Sequence, residues 1–133
     1  MKFLIHYSIC LLSMLLMDAL WLGSMMNILY KKNIGHLMSS SPSWPAAILF
    51  YLLYACGTTI LVLMPAIQAS KPNYTVFLSG ALLGLVAYGT YDLTNQATLH
   101  NWPIIVTIVD MIWGACMTGT ASLVTYYLTK SVR

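Results

Sequence analysis

Apolar residues dominate the chain in four long stretches, with polar and basic residues gathered between them. The stretches run over about 4–28, 45–67, 75–98 and 104–128. At about 1.5 Å per residue a helix of roughly 20 residues crosses the hydrocarbon core of a bilayer. Backbone N–H and C=O groups have no water to pair with there, so each stretch is predicted to be a helix. The pattern therefore predicts an all-α protein. It is a four-transmembrane-helix bundle with antiparallel neighbours, both termini on the same side, and a single integral membrane domain over 1–133.

Punctuation residues fit this division. Pro45 suits the first turn of the second helix, where a missing N–H costs nothing. Pro65 is expected to loosen or stop that helix, and Lys71-Pro72 to form the turn after it. The linker 30–44 carries Lys31, Lys32, Gly35 and Pro42 and has room for a short interfacial helix over 30–38. His100-Asn101-Trp102-Pro103 is so short a loop that spans three and four must pack side by side. Gly80 and Gly84 form a GxxxG pattern, read as close packing within the chain before dimerisation.

Composition removes the soluble alternatives. Hydrophobic residues make up 59% of the chain and charged residues 7%, where a soluble domain carries about a quarter. The net charge of +3 comes without a basic cluster beyond Lys31-Lys32 and without a nucleic-acid motif, which excludes nucleic acid as a partner. Cys10, Cys56 and Cys116 sit in apolar segments without a Cys-x-x-Cys pair, as packing residues do. Residues 1–25 resemble a signal peptide, but Asp18 interrupts the apolar run and a cleavage pattern is lacking, so the segment reads as a retained helix. Lys2, Lys71, Lys130 and Arg133 fall on the side of the termini and Lys31 and Lys32 on the other, an asymmetry that puts the termini in the cytoplasm.

The three acidic residues, Asp18, Asp92 and Asp110, all lie inside apolar stretches, whereas every Lys and Arg lies outside them. Alternating helix direction puts all three within about 5 to 10 Å of one membrane face. An ionised Asp at a helix centre costs roughly 2.5 to 3.5 kcal/mol, so the three should meet each other, a polar partner, a cation or water. Tyr88, Tyr91, Asp92 and Asn95 share one face of span three, by their spacing of i, i+3, i+4 and i+7. Asp18 and Trp21, like Asp110 and Trp113, pair an Asp with a Trp one turn on. Trp21 reads as an interfacial belt residue, and Trp113 as a bundle or pocket residue. Tyr51 and Tyr54 offer hydroxyls from a depth that matches less well, and His100 and Asn101 are placed to cap the cluster.

Several functions suit these residues. Asp18, Asp92, Asp110, Tyr88, Tyr91, Asn95 and Trp113 form a candidate site for proton- or cation-coupled binding or transport, and a bundle this small would transport as a homodimer. Asp18, Asp92, Asp110 and His100 are oxygen and nitrogen ligands for a divalent cation that could polarise a lipid or isoprenoid headgroup. No other cofactor is evident, although His6 near the opposite face keeps a quinone- or haem-linked role in view. A purely structural reading makes the acids a hydrogen-bonded clasp, for which Asn, Ser or Thr would serve at lower cost.

The chain resembles a family of small bacterial four-span membrane proteins of unknown function. The resemblance is carried by Asp18 with Trp21-Leu22-Gly23, Phe50-Tyr51, Gly80-Ala81-Leu82-Leu83-Gly84, Ala87-Tyr88-Gly89-Thr90-Tyr91-Asp92-Leu93-Thr94-Asn95, and Asp110 with Trp113-Gly114. It implies a multi-pass protein of the bacterial inner membrane, in contact with the lipid bilayer, and transfers no activity.

Overall fold

The computed structural model describes residues 1–130. Arg133, one of the charges in the topology argument, lies outside the described residues. Four helices account for almost all of the fold: α1 (Lys2–Leu37), α2 (Trp44–Gln68), α3 (Asn73–Thr98) and α4 (Ile104–Leu128). Each is long and apolar enough to cross a membrane. Leu12, Leu16, Leu53, Leu61, Leu82 and Ile112 are among many large apolar side chains on the outside of the bundle. A contiguous apolar exterior of this extent is a lipid-facing surface. The protein is a multi-pass membrane protein.

Helix α1 differs from its expected course. It does not end near residue 28 and restart as a separate interfacial helix. It continues through a π-helical turn, Met26–Tyr30, into Lys31–Ile34 and a last 3₁₀ turn, Gly35–Leu37. Nothing in this segment stops a helix before Gly35, because neither Gly nor Pro intervenes between Gly23 and Gly35. Pro65 loosens α2 without ending it. A second π-helical turn, Thr59–Leu63, stands just before it, and the helix closes at Gln68. The chain then reverses through Ser70 in a left-handed conformation (φ 48°).

Helices α3 and α4 make the tightest pair, and glycine is the reason. A Cβ on Gly80 would stand 2.6 Å from Ser122 Oγ, and one on Gly84 would collide with the Gly114 carbonyl. A Cβ on Gly114 would in turn strike the ring of Tyr88. The GxxxG pair is therefore spent inside the chain, on α4. Helix α1 packs on α4 and on α2, whereas α2 meets α3 chiefly through its π-helical turn.

The bundle is divided along its length. An apolar core that includes Cys10, Met14, Ala55, Val62, Leu63, Ala66, Val76, Met117 and Ala121 packs the half nearest the termini, with buried Thr and Ser side chains around it. A smaller apolar cluster of Leu29, Trp102 and Val106 closes the other end, below the short α3–α4 loop. Between the two, where the first half of α2 stands off α3, the helices leave a cavity.

Candidate functional site

The cavity measures about 490 Å³, within the range of small-molecule sites. All four helices contribute: Asp18, Trp21, Leu22 and Tyr30 from α1, Phe50 and Tyr51 from α2, Ala87, Tyr88 and Tyr91 from α3, and Asp110 and Trp113 from α4. Seven of these eleven residues are aromatic and two are acids, and no Lys or Arg is among them.

The acids are held by the rings. Asp18 accepts two hydrogen bonds, from Tyr51 Oη at 2.9 Å and from Trp113 Nε1 at 2.9 Å. Asp110 accepts a short bond from Tyr30 Oη, which itself accepts from Trp21 Nε1 at 2.9 Å. The two indoles lie face to face, 4.3 Å between centroids and 7° between planes. One continuous chain of contacts thus joins Tyr51, Asp18, Trp113, Trp21, Tyr30 and Asp110, and it ties α1, α2 and α4 together.

Trp21, read from the sequence as an interfacial residue, turns inward. Its ring stacks on Trp113 and its N–H donates to Tyr30, so it walls the cavity. Tyr51 is also better placed than its depth suggested, since its hydroxyl reaches Asp18. Tyr54 reaches a different partner, Thr118 Oγ1 at 2.8 Å, below the cavity.

Tyr30 is the residue that sequence reasoning missed. At about 100° per residue, an uninterrupted helix would turn Tyr30 about 120° away from Asp18. A π-helical turn takes up one extra residue and so brings it back to within about 20°. The Met26–Tyr30 turn therefore swings a residue of the supposed linker onto the site face. The apolar character of 25–30 is compatible with a helix that continues past residue 28, but it carries no signal of the register shift.

Asp92 behaves unlike the other two acids. It is fully buried, behind the cavity wall, and neither carboxyl oxygen has a hydrogen-bond partner among the described residues. Its acidic neighbour is the Asp110 carboxyl. Two ionised carboxylates side by side away from water repel each other, and a proton or a cation held between them relieves that repulsion.

The remaining expected site residues divide. Tyr88 and Tyr91 line the cavity, and Tyr91 also packs edge-on to Trp102 with centroids 6.1 Å apart. Asn95 is half-buried one turn closer to the loop and does not line the cavity. Its neighbour Gln96 has the polar role there, donating to the Trp102 carbonyl and accepting from Thr107, which accepts in turn from Trp102 Nε1. His100 and Asn101 are exposed in the loop, outside the cavity lining. Asp18, Asp92, Asp110 and His100 do not gather as a set, and no group of three or more His, Cys, Asp or Glu poised to hold a metal ion occurs among the described residues. At the far end His6 is buried, its Nδ1–H donating to the Lys2 carbonyl, with Nε2 unpaired among the described residues.

Comparison with known proteins agrees with this architecture. No curated protein and no solved structure matches the chain. Residues 3–127 match the family described as "Predicted membrane protein (DUF2177)". Nearly the whole chain, acids and aromatic wall included, is covered by that match, and the protein belongs to this family of predicted membrane proteins of unknown function.

Proposed function

We propose that the acid–aromatic cavity is a ligand-binding site whose occupancy is coupled to a proton or cation held at the Asp92–Asp110 pair. The observation that carries this is the unpaired, fully buried Asp92 carboxyl against Asp110. A structural clasp needs acids that bond to donors across helices, as Asp18 does. An acid with no donor adds a desolvation cost and no tie, which makes sense when its task is to take up or give up a charge. The absence of Lys and Arg from the cavity lining favours cationic over phosphate ligands. Coupled transport by this bundle would use a homodimer in the bacterial inner membrane, with the termini cytoplasmic and the cavity toward the other face.

Proton release provides the test. Purified protein in weakly buffered maltoside micelles with a pH-sensitive dye is titrated with sodium or potassium salts and with organic ammonium salts. The wild type is expected to release up to one proton per chain as a cation binds. Asp92→Asn, which keeps the shape and removes the acid, should release none. A wild-type protein that binds no cation and releases no proton under any of these salts overturns the coupling.

A further inference from the structure

A second, largely apolar recess lies between α2 and α3 and shares Phe50 with the cavity. This groove measures about 210 Å³, and Leu53, Gly57, Leu61 and Leu83 line it together with Phe50, Tyr54 and Thr58. It exists because α2 meets α3 chiefly at its π-helical turn and stands away from it above that point. The pair of recesses has an acidic, ring-walled end and a narrow apolar end, along one side of the bundle.

We infer that the two recesses together bind a cationic amphiphile: an alkylammonium head in the acid–aromatic cavity and its hydrocarbon chain in the α2–α3 groove. This rests on the cavity being a cation site and names the class of cation.

Three features select it. First, the hydroxyl protons of Tyr30 and Tyr51 and the N–H of Trp21 and Trp113 are all committed within the wall. What remains for a ligand is ring surface, the hydroxyls of Tyr88 and Tyr91, and the spare lone pairs of two carboxylates; with no Lys or Arg in the lining, the carboxylates attract a positive charge. Second, a small hard cation would need about six or more oxygen ligands to replace its water, and the wall does not supply them. A methylated or alkylated ammonium is weakly hydrated, is attracted to the faces of Trp and Tyr, and fills a space of this size. Third, the groove shares Phe50 with the cavity and is lined by Leu53 and Leu61 of the lipid-facing surface, so a chain attached to the head would run from the cavity wall into the hydrocarbon layer.

The experiment measures binding by calorimetry to the full-length protein in maltoside micelles, with tetramethylammonium, butyltrimethylammonium and hexyltrimethylammonium as probes. Affinity is expected to rise along the series by at least tenfold, while hexanol and hexyl sulfate give no saturable signal. Asp18→Asn and Asp110→Asn should each weaken hexyltrimethylammonium at least tenfold. Gly57→Leu should reduce its affinity to that of tetramethylammonium; an added Cβ at Gly57 meets nothing within 4 Å, so a fold defect is not expected there. Hexylphosphocholine carries the same head with a phosphate and is expected to bind more weakly than hexyltrimethylammonium. If it binds as tightly, the ligand is a zwitterionic lipid head and the cationic assignment falls. Hexanol binding as well as the ammonium, or acid variants that bind like wild type, also overturns it. Sodium or potassium releasing a proton while the whole ammonium series is silent overturns this inference and leaves the coupled site standing.

Discussion

Asp18 and Asp110 face the same cavity with unequal support. Asp18 has two donors, Tyr51 and Trp113, whereas Asp110 has Tyr30, and Tyr30 is also the acceptor for Trp21. Removing the Tyr51 hydroxyl leaves Asp18 with the Trp113 N–H. Removing the Tyr30 hydroxyl deprives Asp110 of its tyrosine donor and strands an indole N–H in the same step. A buried hydrogen bond within a membrane bundle averages under about 1 kcal/mol, with stronger cases near 1.7. Tyr30→Phe is therefore expected to cost about 1 to 2 kcal/mol of unfolding free energy in mixed micelles, and Tyr51→Phe under about 1. Equal losses, or the reverse order, would show that the Tyr30 link is not what orders the Asp110 side of the wall.

On the scale of the element, the π-helical turn of α1 sets where Tyr30 points. It acts as a one-residue insertion within a helix that otherwise runs on regularly, and it sits beside the site as such turns often do. Ile28 lies in this turn and is 67% exposed, so it contributes little packing of its own. Deleting Ile28 is expected to convert the turn to regular α-helix and to keep Tyr30 on the Asp18 face. Inserting an Ala after Ile28 should rotate Tyr30 by about a further 100° and break its bond to Asp110. Near-ultraviolet circular dichroism of the stacked Trp21–Trp113 pair, with thermal unfolding, tells the two apart. The deletion should retain the signal and most of the stability, and the insertion should lose both. A deletion that collapses the aromatic signal would refute the register argument.

For the whole molecule, the division into a close-packed half near the termini and a half that holds the cavity gives the bundle a direction. The apolar core near the termini, with Met14, Leu63 and Met117 fully or almost fully buried, holds the helices together, and the cavity occupies the other half. Membrane orientation then decides which compartment the cavity lies nearer. Lys2, Lys71 and Lys130 on the terminal side against Lys31 and Lys32 on the cavity side favour cytoplasmic termini, and Arg133 adds to that side. A C-terminal fusion to green fluorescent protein is expected to fluoresce, and the same fusion to alkaline phosphatase to be inactive. The opposite pair of results would turn the cavity toward the cytoplasm.

The sequence by itself determined the element types, because four apolar stretches of membrane-spanning length admit no structure other than helices. It also determined that the three acids would lie at one depth, since depth along alternating helices depends only on residue count. The GxxxG pattern announced a close helix contact, as did the short loop between spans three and four. What the tertiary structure decided was rotation and partner. Whether Gly84 faced α4 or another copy depended on which helix brought a backbone against it. Tyr30 joined the wall because a π-helical turn shifted the register of α1 beyond Met25, and no residue pattern in 26–30 marks that shift; Trp21, before the turn, was already on the Asp18 face and needed only Trp113 and Tyr30 as partners. Asp92 went behind Asp110 and Asn95 fell outside the cavity, although both share a face with Tyr88 at helical spacing. A helical face is about 100° wide, and only the position of the neighbouring helix selects which part of it opens onto the cavity and which part is sealed.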